Sequence, residues 1–452
     1  MKDIKNLKNN GEEIKMNFNK GVELWKKAKR LIPGGSQLLS KRSEMFLPDQ
    51  WPSYYQSGKG IEIIDLDGNK LKDFTLMGIG ACILGYADDD VNNSVKKAVD
   101  QGSMTSLNCP EEVELAELMF KLHPWADGIR YARTGGESMA IAVRIARAYT
   151  GKDKIAFCGY HGWHDWYLAT NLISTENLNQ HLLKGLDPNG VPRYLMDSAF
   201  PFEYNDITKL EQIMEAHDIG VIILEPYRHE DPKDNFLQKV REIADKYNAV
   251  LIFDEITIAW RLNVGGVHMH FGVTPDIAVF AKAMSNGYPM GAIVGKSEIM
   301  DAAQKSFISS TYWTERIGPT AALATINKMI NCDVPTHLDS IGQSIAEGWE
   351  KLAKKHSIDL KILKPNALIT FDLKYPNAPE ILTLFTQEML YRGYLASSSV
   401  YVSYAHKKQD VIDYLSVVDE VFGILSDAIA KNDIKSRLKG PVKHTGFQRL
   451  TR

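Results

Sequence analysis

Two residues of this 452-residue chain stand where a reactive pair would be useful. The apolar run Val250-Leu251-Ile252-Phe253 ends in the carboxylate of Asp254. A second run, Val279-Phe280-Ala281, ends in the amine of Lys282, just before the turn Asn286-Gly287-Tyr288-Pro289-Met290-Gly291. Short apolar runs bounded by turn signals read as buried strands. A carboxylate and an amine at the mouths of two such strands share one edge of an open sheet, where α/β proteins bind ligands. Alone, Asp254 would read as a strand-end carboxylate or helix cap, and Lys282 as a solvated surface lysine. Among Val279, Phe280, Ala281 and Ala283, however, a solvated lysine is out of place. A desolvated amine near a cationic group loses its proton more readily and becomes a nucleophile and proton shuttle. Pyridoxal phosphate chemistry uses such a pair, with Lys282 as Schiff-base amine and Asp254 as partner of the pyridinium nitrogen.

Other segments fit the same site. Arg133-Thr134-Gly135-Gly136-Glu137-Ser138 lies between a strand (Ile129 to Ala132) and an Ala/Arg-rich helix. Gly135 and Gly136 would let backbone N–H groups approach a phosphate at the positive end of the helix dipole. A tight strand-to-helix turn without a ligand would look the same. The spacing is neither a P-loop nor a dinucleotide fingerprint. Cys158-Gly159-Tyr160-His161-Gly162-Trp163-His164-Asp165-Trp166 follows the strand Lys154 to Phe157, so the Tyr160 ring can lie on a planar cofactor. Ile256, two residues past Asp254, can pack the opposite face. Trp163 and Trp166 read as core or subunit interface. His161 and His164 lack a second ligand cluster, so no metal is expected. Glu225, at the end of the strand Val221 to Leu224, fits either contact with an oxo substrate or a structural strand cap.

The elements that must position these groups alternate from about residue 81 to 330, with apolar strands and helices in turn. That is the pattern of a mostly parallel sheet with crossover helices. The strands are expected at Ile129–Ala132, Lys154–Phe157, Val221–Leu224, Val250–Phe253, Ile277–Phe280 and Ala292–Val294. Upstream, Phe18–Leu31 reads as an amphipathic helix stopped by Pro33-Gly34-Gly35, and residues 60–74 as a hairpin around Asp67-Gly68-Asn69. After Pro335 a long helix (Ile341–His356), strands at Leu368–Phe371 and Val400–Ser403, and a final helix (Gln409–Lys431) make a smaller α+β unit. The expected division is an N-terminal segment, 1–80, joining the small domain, a large domain, 81–330, and a C-terminal small domain, 331–452. Lys443 to Arg449 shows no clear period. Residues 1–15 are polar, read as mobile and lack the apolar core of a secretory signal. A net charge of −3, from 53 basic and 56 acidic residues, gives no reason to expect nucleic acid or an anionic membrane as partner. The 4 cysteines match no metal or redox spacing, so reduced thiols in a cytoplasmic protein are expected.

The order Gly-Gly-Glu before a helix, Tyr-His-Gly, Phe-Asp-Glu, Lys before Gly-Tyr-Pro, then Ser-Thr-Tyr resembles class III aminotransferases of fold type I. Within that class it is most similar to glutamate-1-semialdehyde 2,1-aminomutase-like proteins. The resemblance covers roughly residues 31–330 well and the C-terminal third loosely. It implies a fold type I α/β transferase, pyridoxal 5'-phosphate as cofactor, and amino transfer from a small-molecule donor to an oxo acceptor. It assigns cofactor phosphate to Gly135 and Gly136, ring stacking to Tyr160, the ring nitrogen to Asp254 and the covalent link to Lys282. It also gives Thr311 the phosphate of a partner subunit, and hence a homodimer with shared sites. Three departures stand out. The phosphate turn, Ser-Gly-Thr in the family, reads Thr134-Gly135-Gly136, leaving backbone donors in place of a hydroxyl. Trp313 to Gly318 intervene between Thr311 and Pro319. Arg42 matches, with shifted spacing, the arginine that binds substrate carboxylate. An intramolecular aminomutase and an inactive scaffold are the other readings, and the fold also hosts decarboxylases and racemases.

Overall fold

A computed structural model describes residues 8–9, 12–13, 16–448 and 450. Most of the N-terminal stretch read as mobile, and Arg449, lie outside these residues. The centre is a seven-stranded sheet of β1 (Gly128–Ala132), β2 (Lys154–Cys158), β3 (Ala199–Pro201), β4 (Ile219–Leu224), β5 (Val250–Asp254), β6 (Ile277–Phe280) and β7 (Gly291–Gly295). Their spatial order is β1-β7-β6-β5-β4-β2-β3. Neighbours from β3 to β6 pair in parallel, and β7 alone runs against both its neighbours. All six expected strands lie in this sheet. The seventh, β3, escaped notice because Ala199-Phe200-Pro201 is short and ends in proline. An edge strand pairing only with β2 tolerates that residue.

Strands β4 to β7 are buried along their whole length, which is why they read as unbroken apolar runs rather than alternating ones. Along β5 the side chains still alternate between layers. Val250 and Ile252 join the core beneath helix α1 (Gly135–Thr150), whereas Leu251 and Phe253 join the core beneath helices Ile207–Ala216 and Phe236–Lys246. Asp254 is therefore the last residue of a strand walled by hydrocarbon on both sides, paired with Val279 of β6. Lys282 follows the end of β6, so carboxylate and amine leave adjacent strands at the same edge.

The hairpin forms from Glu62–Asp65 and Lys70–Phe74, with Asp65 accepting the N–H groups of Asp67 and Asn69 across the turn. Tyr394–Ala396 pairs in parallel with Lys70–Phe74, so segments from both halves of the chain share one four-stranded sheet. A three-stranded sheet of Leu360–Leu363, Leu368–Leu373 and Ser399–Tyr401 packs with helices Val334–His356 and Lys408–Ala430. The first of these helices starts before the expected Ile341. Pro335 sits in its first turn, where a missing N–H costs nothing. The C-terminal tail folds back over the protein. Lys443 N–H donates to Thr383, His444 N–H to the Glu44 carbonyl, and Phe447 N–H to the Lys184 carbonyl. All four cysteines are free, and among the described residues no helix is long and apolar enough to cross a membrane.

Candidate active site

A cavity of about 380 Å³ opens at the carboxyl edge of the large sheet. Its wall includes Gly135, Gly136, Tyr160, His161, Asp254, Ile256, Thr257 and Lys282, which come from the ends of β1, β2, β5 and β6. Six of these eight, Gly135, Gly136, Tyr160, Asp254, Ile256 and Lys282, are site residues the sequence singled out, from four separate segments.

Lys282 holds a left-handed backbone, φ 48°, at the start of a short 3-10 turn. For a side chain of this size that conformation costs of order 1–3 kcal/mol, and such strain concentrates at functional sites. Its Nζ donates to Thr257 Oγ1 at 2.9 Å. Burial lowers the amine's pKa to about 8, with Arg228 and Arg261 adding to the shift while Glu225 and Asp254 oppose it. The amine is thus easily freed of its proton.

Asp254 Oδ2 lies 2.8 Å from His161 Nδ1, and Oδ1 accepts the Ile256 N–H at 3.1 Å. Burial raises its pKa against the opposing hydrogen bond from His161. On its far side, His161 Nε2 is 3.1 Å from the Cys158 carbonyl. A carbonyl only accepts, so Nε2 carries a hydrogen. Nδ1 and Oδ2 then hold one proton between them, and the pair carries no net charge.

Helix α1 begins with a capping box: Thr134 Oγ1 accepts the Glu137 N–H, and the Glu137 carboxylate accepts the Thr134 N–H. Gly135 and Gly136 are glycines for reasons of space. A Cβ on Gly135 would meet Ile256 Cδ1 at 3.1 Å, and one on Gly136 would meet the His164 ring at 3.2 Å. The turn after β2 touches this helix start directly, because a Cβ on Gly162 would lie 2.9 Å from Gly136 Cα. His164 Nδ1 is buried there with no hydrogen-bond partner among the described residues.

Glu225 accepts the Tyr160 N–H at 3.0 Å and pairs with Arg228 at 3.0 Å. Burial pushes its pKa up, but Arg228, His161, the Tyr160 N–H and Lys282 outweigh that and hold the carboxyl below its usual range. It faces a second cavity, of about 270 Å³, rather than the first. Two expected residues stand apart from the cavity in this chain. Arg42 donates to the Gln448 carbonyl at 3.1 Å and lies over the Phe447 ring. Thr311 is exposed on the short turn Thr311–Thr314. Sequence reasoning missed the part played by Thr257 and treated His161 only as a possible metal ligand. Among the described residues no cluster suits a metal ion.

Residues 48–416 match the family profile "Aminotransferase class-III". Over 354 residues the chain is 38% identical to 3-aminobutyryl-CoA aminotransferase of Cloacimonas acidaminovorans, covering 76% of this chain and 81% of that protein. Over 432 residues it is 30% identical to glutamate-1-semialdehyde 2,1-aminomutase of Caldicellulosiruptor saccharolyticus, covering 89% and 98%. Its fold is similar to the PLP internal aldimine form of the FumI protein of Sphingopyxis sp. MTA144, with a TM-score of 0.82, 23% identity, and coverage of 91% and 98%.

Proposed function

The chain belongs to the class III aminotransferase family of pyridoxal phosphate enzymes, and from that premise we propose that it moves an amino group from a donor to a small oxo compound, with Lys282 as the amine that carries the cofactor. One observation supports this above the others. The buried Lys282 amine, the Asp254 carboxylate and the glycine-built start of helix α1 face one cavity. Those groups suit the cofactor: an amine for its aldehyde, an acid for its ring nitrogen, and backbone donors with an orphaned His164 Nδ1 for its phosphate.

Bound there, pyridoxal phosphate supplies an aldehyde that takes up the amino group and a ring that accepts the electrons of a broken C–H bond. The protein does the rest. Asp254 holds the ring nitrogen's proton, and His161 holds Asp254 in place. Tyr160 and Ile256, both on the cavity wall, would flank the ring. Lys282 Nζ would hold and move the proton that leaves the substrate carbon, and a pKa of about 8 suits that task. Orientation by these contacts can supply several kcal/mol of the barrier reduction.

Glu225 positions the Tyr160 turn through the Tyr160 N–H and, paired with Arg228, lines the second cavity. Thr311 serves the site of a partner subunit in a homodimer. Its exposure beside Tyr312 (71%) and Phe307 (88%), apolar groups that water covers in one chain, supports that role. Arg42, engaged by the tail, would bind a substrate carboxylate only where the tail gives way. The four free thiols suit a cytoplasmic enzyme.

The test is a screen of amino donors that follows loss of the visible absorbance of the lysine-bound cofactor. 3-Aminobutyryl-CoA goes first, on the 38% identity to its aminotransferase. Donor-dependent turnover that vanishes in Lys282→Ala is expected. No response to any donor in a protein that binds the cofactor would overturn amino transfer between two molecules. Turnover with no external donor would favour the second reading, an aminomutase, to which similarity over 89% of the chain points.

A further inference from the structure

We propose that His164 binds the cofactor phosphate through Nδ1, taking the place of a side-chain donor at position 136; this rests on the reading of Lys282 and helix α1 given above. A phosphate at a helix start needs donors beyond the first free amides. The side chains nearest this one are already committed. The Thr134 hydroxyl is tied to Glu137, and the Ser138 hydroxyl donates to the Thr134 carbonyl at 2.9 Å. Gly135 and Gly136 have no side chains to offer. The Glu137 carboxylate, which accepts the Arg133 and Thr134 N–H groups, adds negative charge where an anion would lie.

The His164 ring fills the space that a residue at 136 would use. A Cβ built on Gly136 would stand 3.2 Å from both Cε1 and Nδ1 of that ring. Trp163 stacks on this ring, with ring centres 4.4 Å apart and planes at 28°, and the Trp163 Cδ1 lies 3.4 Å from the same Cβ position on Gly136. His164 Nδ1 is buried without a partner among the described residues, and an orphaned polar atom of this kind is destabilising unless a ligand satisfies it. Burial lowers the pKa of His164 against the opposing pull of Glu137 and Asp165, and the neutral ring donates to the phosphate when its one hydrogen sits on Nδ1. Glycine at 136 and histidine at 164 are two halves of one device: the first vacates the space, and the second brings a donor into it.

The experiment uses the full chain stripped of cofactor, titrated with pyridoxal phosphate and, separately, with pyridoxal, which lacks the phosphate. In His164→Ala the affinity for pyridoxal phosphate is expected to fall about tenfold, the value of one charge-assisted hydrogen bond, with pyridoxal binding unchanged. His164→Asn, whose amide can stand near the Nδ1 position, should keep most of the affinity. Gly136→Ser should restore affinity when placed on His164→Ala and weaken it when His164 is present. Equal loss for both ligands, or no loss for either, would overturn the role of His164. Failure of the unaltered protein to link either ligand to Lys282 would instead sink the reading of the site.

Discussion

His161 Nδ1 stands 2.8 Å from Asp254 Oδ2 although their strands, β2 and β5, are separated by β4. The imidazole reaches across one strand end to brace a carboxylate that burial would otherwise neutralise. Asp254→Asn should bind cofactor yet lose about a hundredfold or more in turnover, since an amide cannot hold a proton on the ring nitrogen. His161→Ala should lower turnover by roughly tenfold, because it removes one donor from a buried acceptor. Single-turnover kinetics with a responsive donor would check both, and an Asp254→Asn enzyme as fast as the original would contradict the assignment.

Lys282 gives a pH prediction. Its folded pKa, about 8, lies below the ordinary lysine value of 10.5. A lowered lysine pKa means that the neutral, nucleophilic amine appears at lower pH in the folded chain than in an exposed lysine. In the cofactor-free protein, capture of pyridoxal phosphate should rise through pH 8 and level off above it, rather than climbing toward 10.5. Stopped-flow absorbance from pH 6 to 10 would show the midpoint. Thr257→Val removes the hydroxyl that accepts from Nζ and should change the height of the plateau, because the amine loses the contact that aims it.

Gly162 combines a left-handed backbone, φ 101°, with contact against Gly136. Gly162→Ala forces a Cβ to within 2.9 Å of the Gly136 Cα in a conformation that L-residues avoid. A loss of about 2 kcal/mol or more in stability is expected, together with faster cofactor release, because the displaced neighbour is the proposed phosphate cradle. Thermal unfolding and dialysis against a carbonyl trap would measure the two effects. A fully stable variant that retains cofactor would show that the two turns can part without consequence.

Much of this arrangement was legible in the residues. Unbroken apolar runs ending at Asp254 and near Lys282 revealed buried strands, because strands covered on both faces leave no alternation to interpret. The glycines at 135 and 136 and the aromatic at 160 were legible because they follow strands directly. His161 was visible as a residue but not as Asp254's partner. That contact depends on strand order, and 93 residues separate the two in sequence. Thr257 lies only three positions past Asp254, but a hydroxyl in a loop has no periodic signal. Arg42 went the other way: a family resemblance suggested it despite shifted spacing, and the structure gives its guanidinium to Gln448 and Phe447. The tail that claims it has no helical or strand period, so nothing local announced where it would dock.

Glu255, next to Asp254, is fully buried and accepts from Val267 N–H at 2.9 Å, His268 N–H at 2.9 Å and His268 Nδ1 at 2.8 Å. Trp125 Nε1 donates to His268 Nε2 at 3.0 Å, so the ring hydrogen must lie on Nδ1, pointing at Glu255. All three donors converge on two carboxylate oxygens and fold the loop after β5 back beneath the site. In Glu255→Gln one oxygen becomes an NH₂ group that faces N–H donors, and no rotation of the amide can suit both sides. A loss of about 1–3 kcal/mol is expected, read as a lower urea midpoint with an unchanged slope. Because Asp254 and Ile256 flank this anchor, cofactor affinity should fall along with stability. Glu255→Gln with unaltered stability would mean that the loop holds its shape through hydrocarbon packing alone.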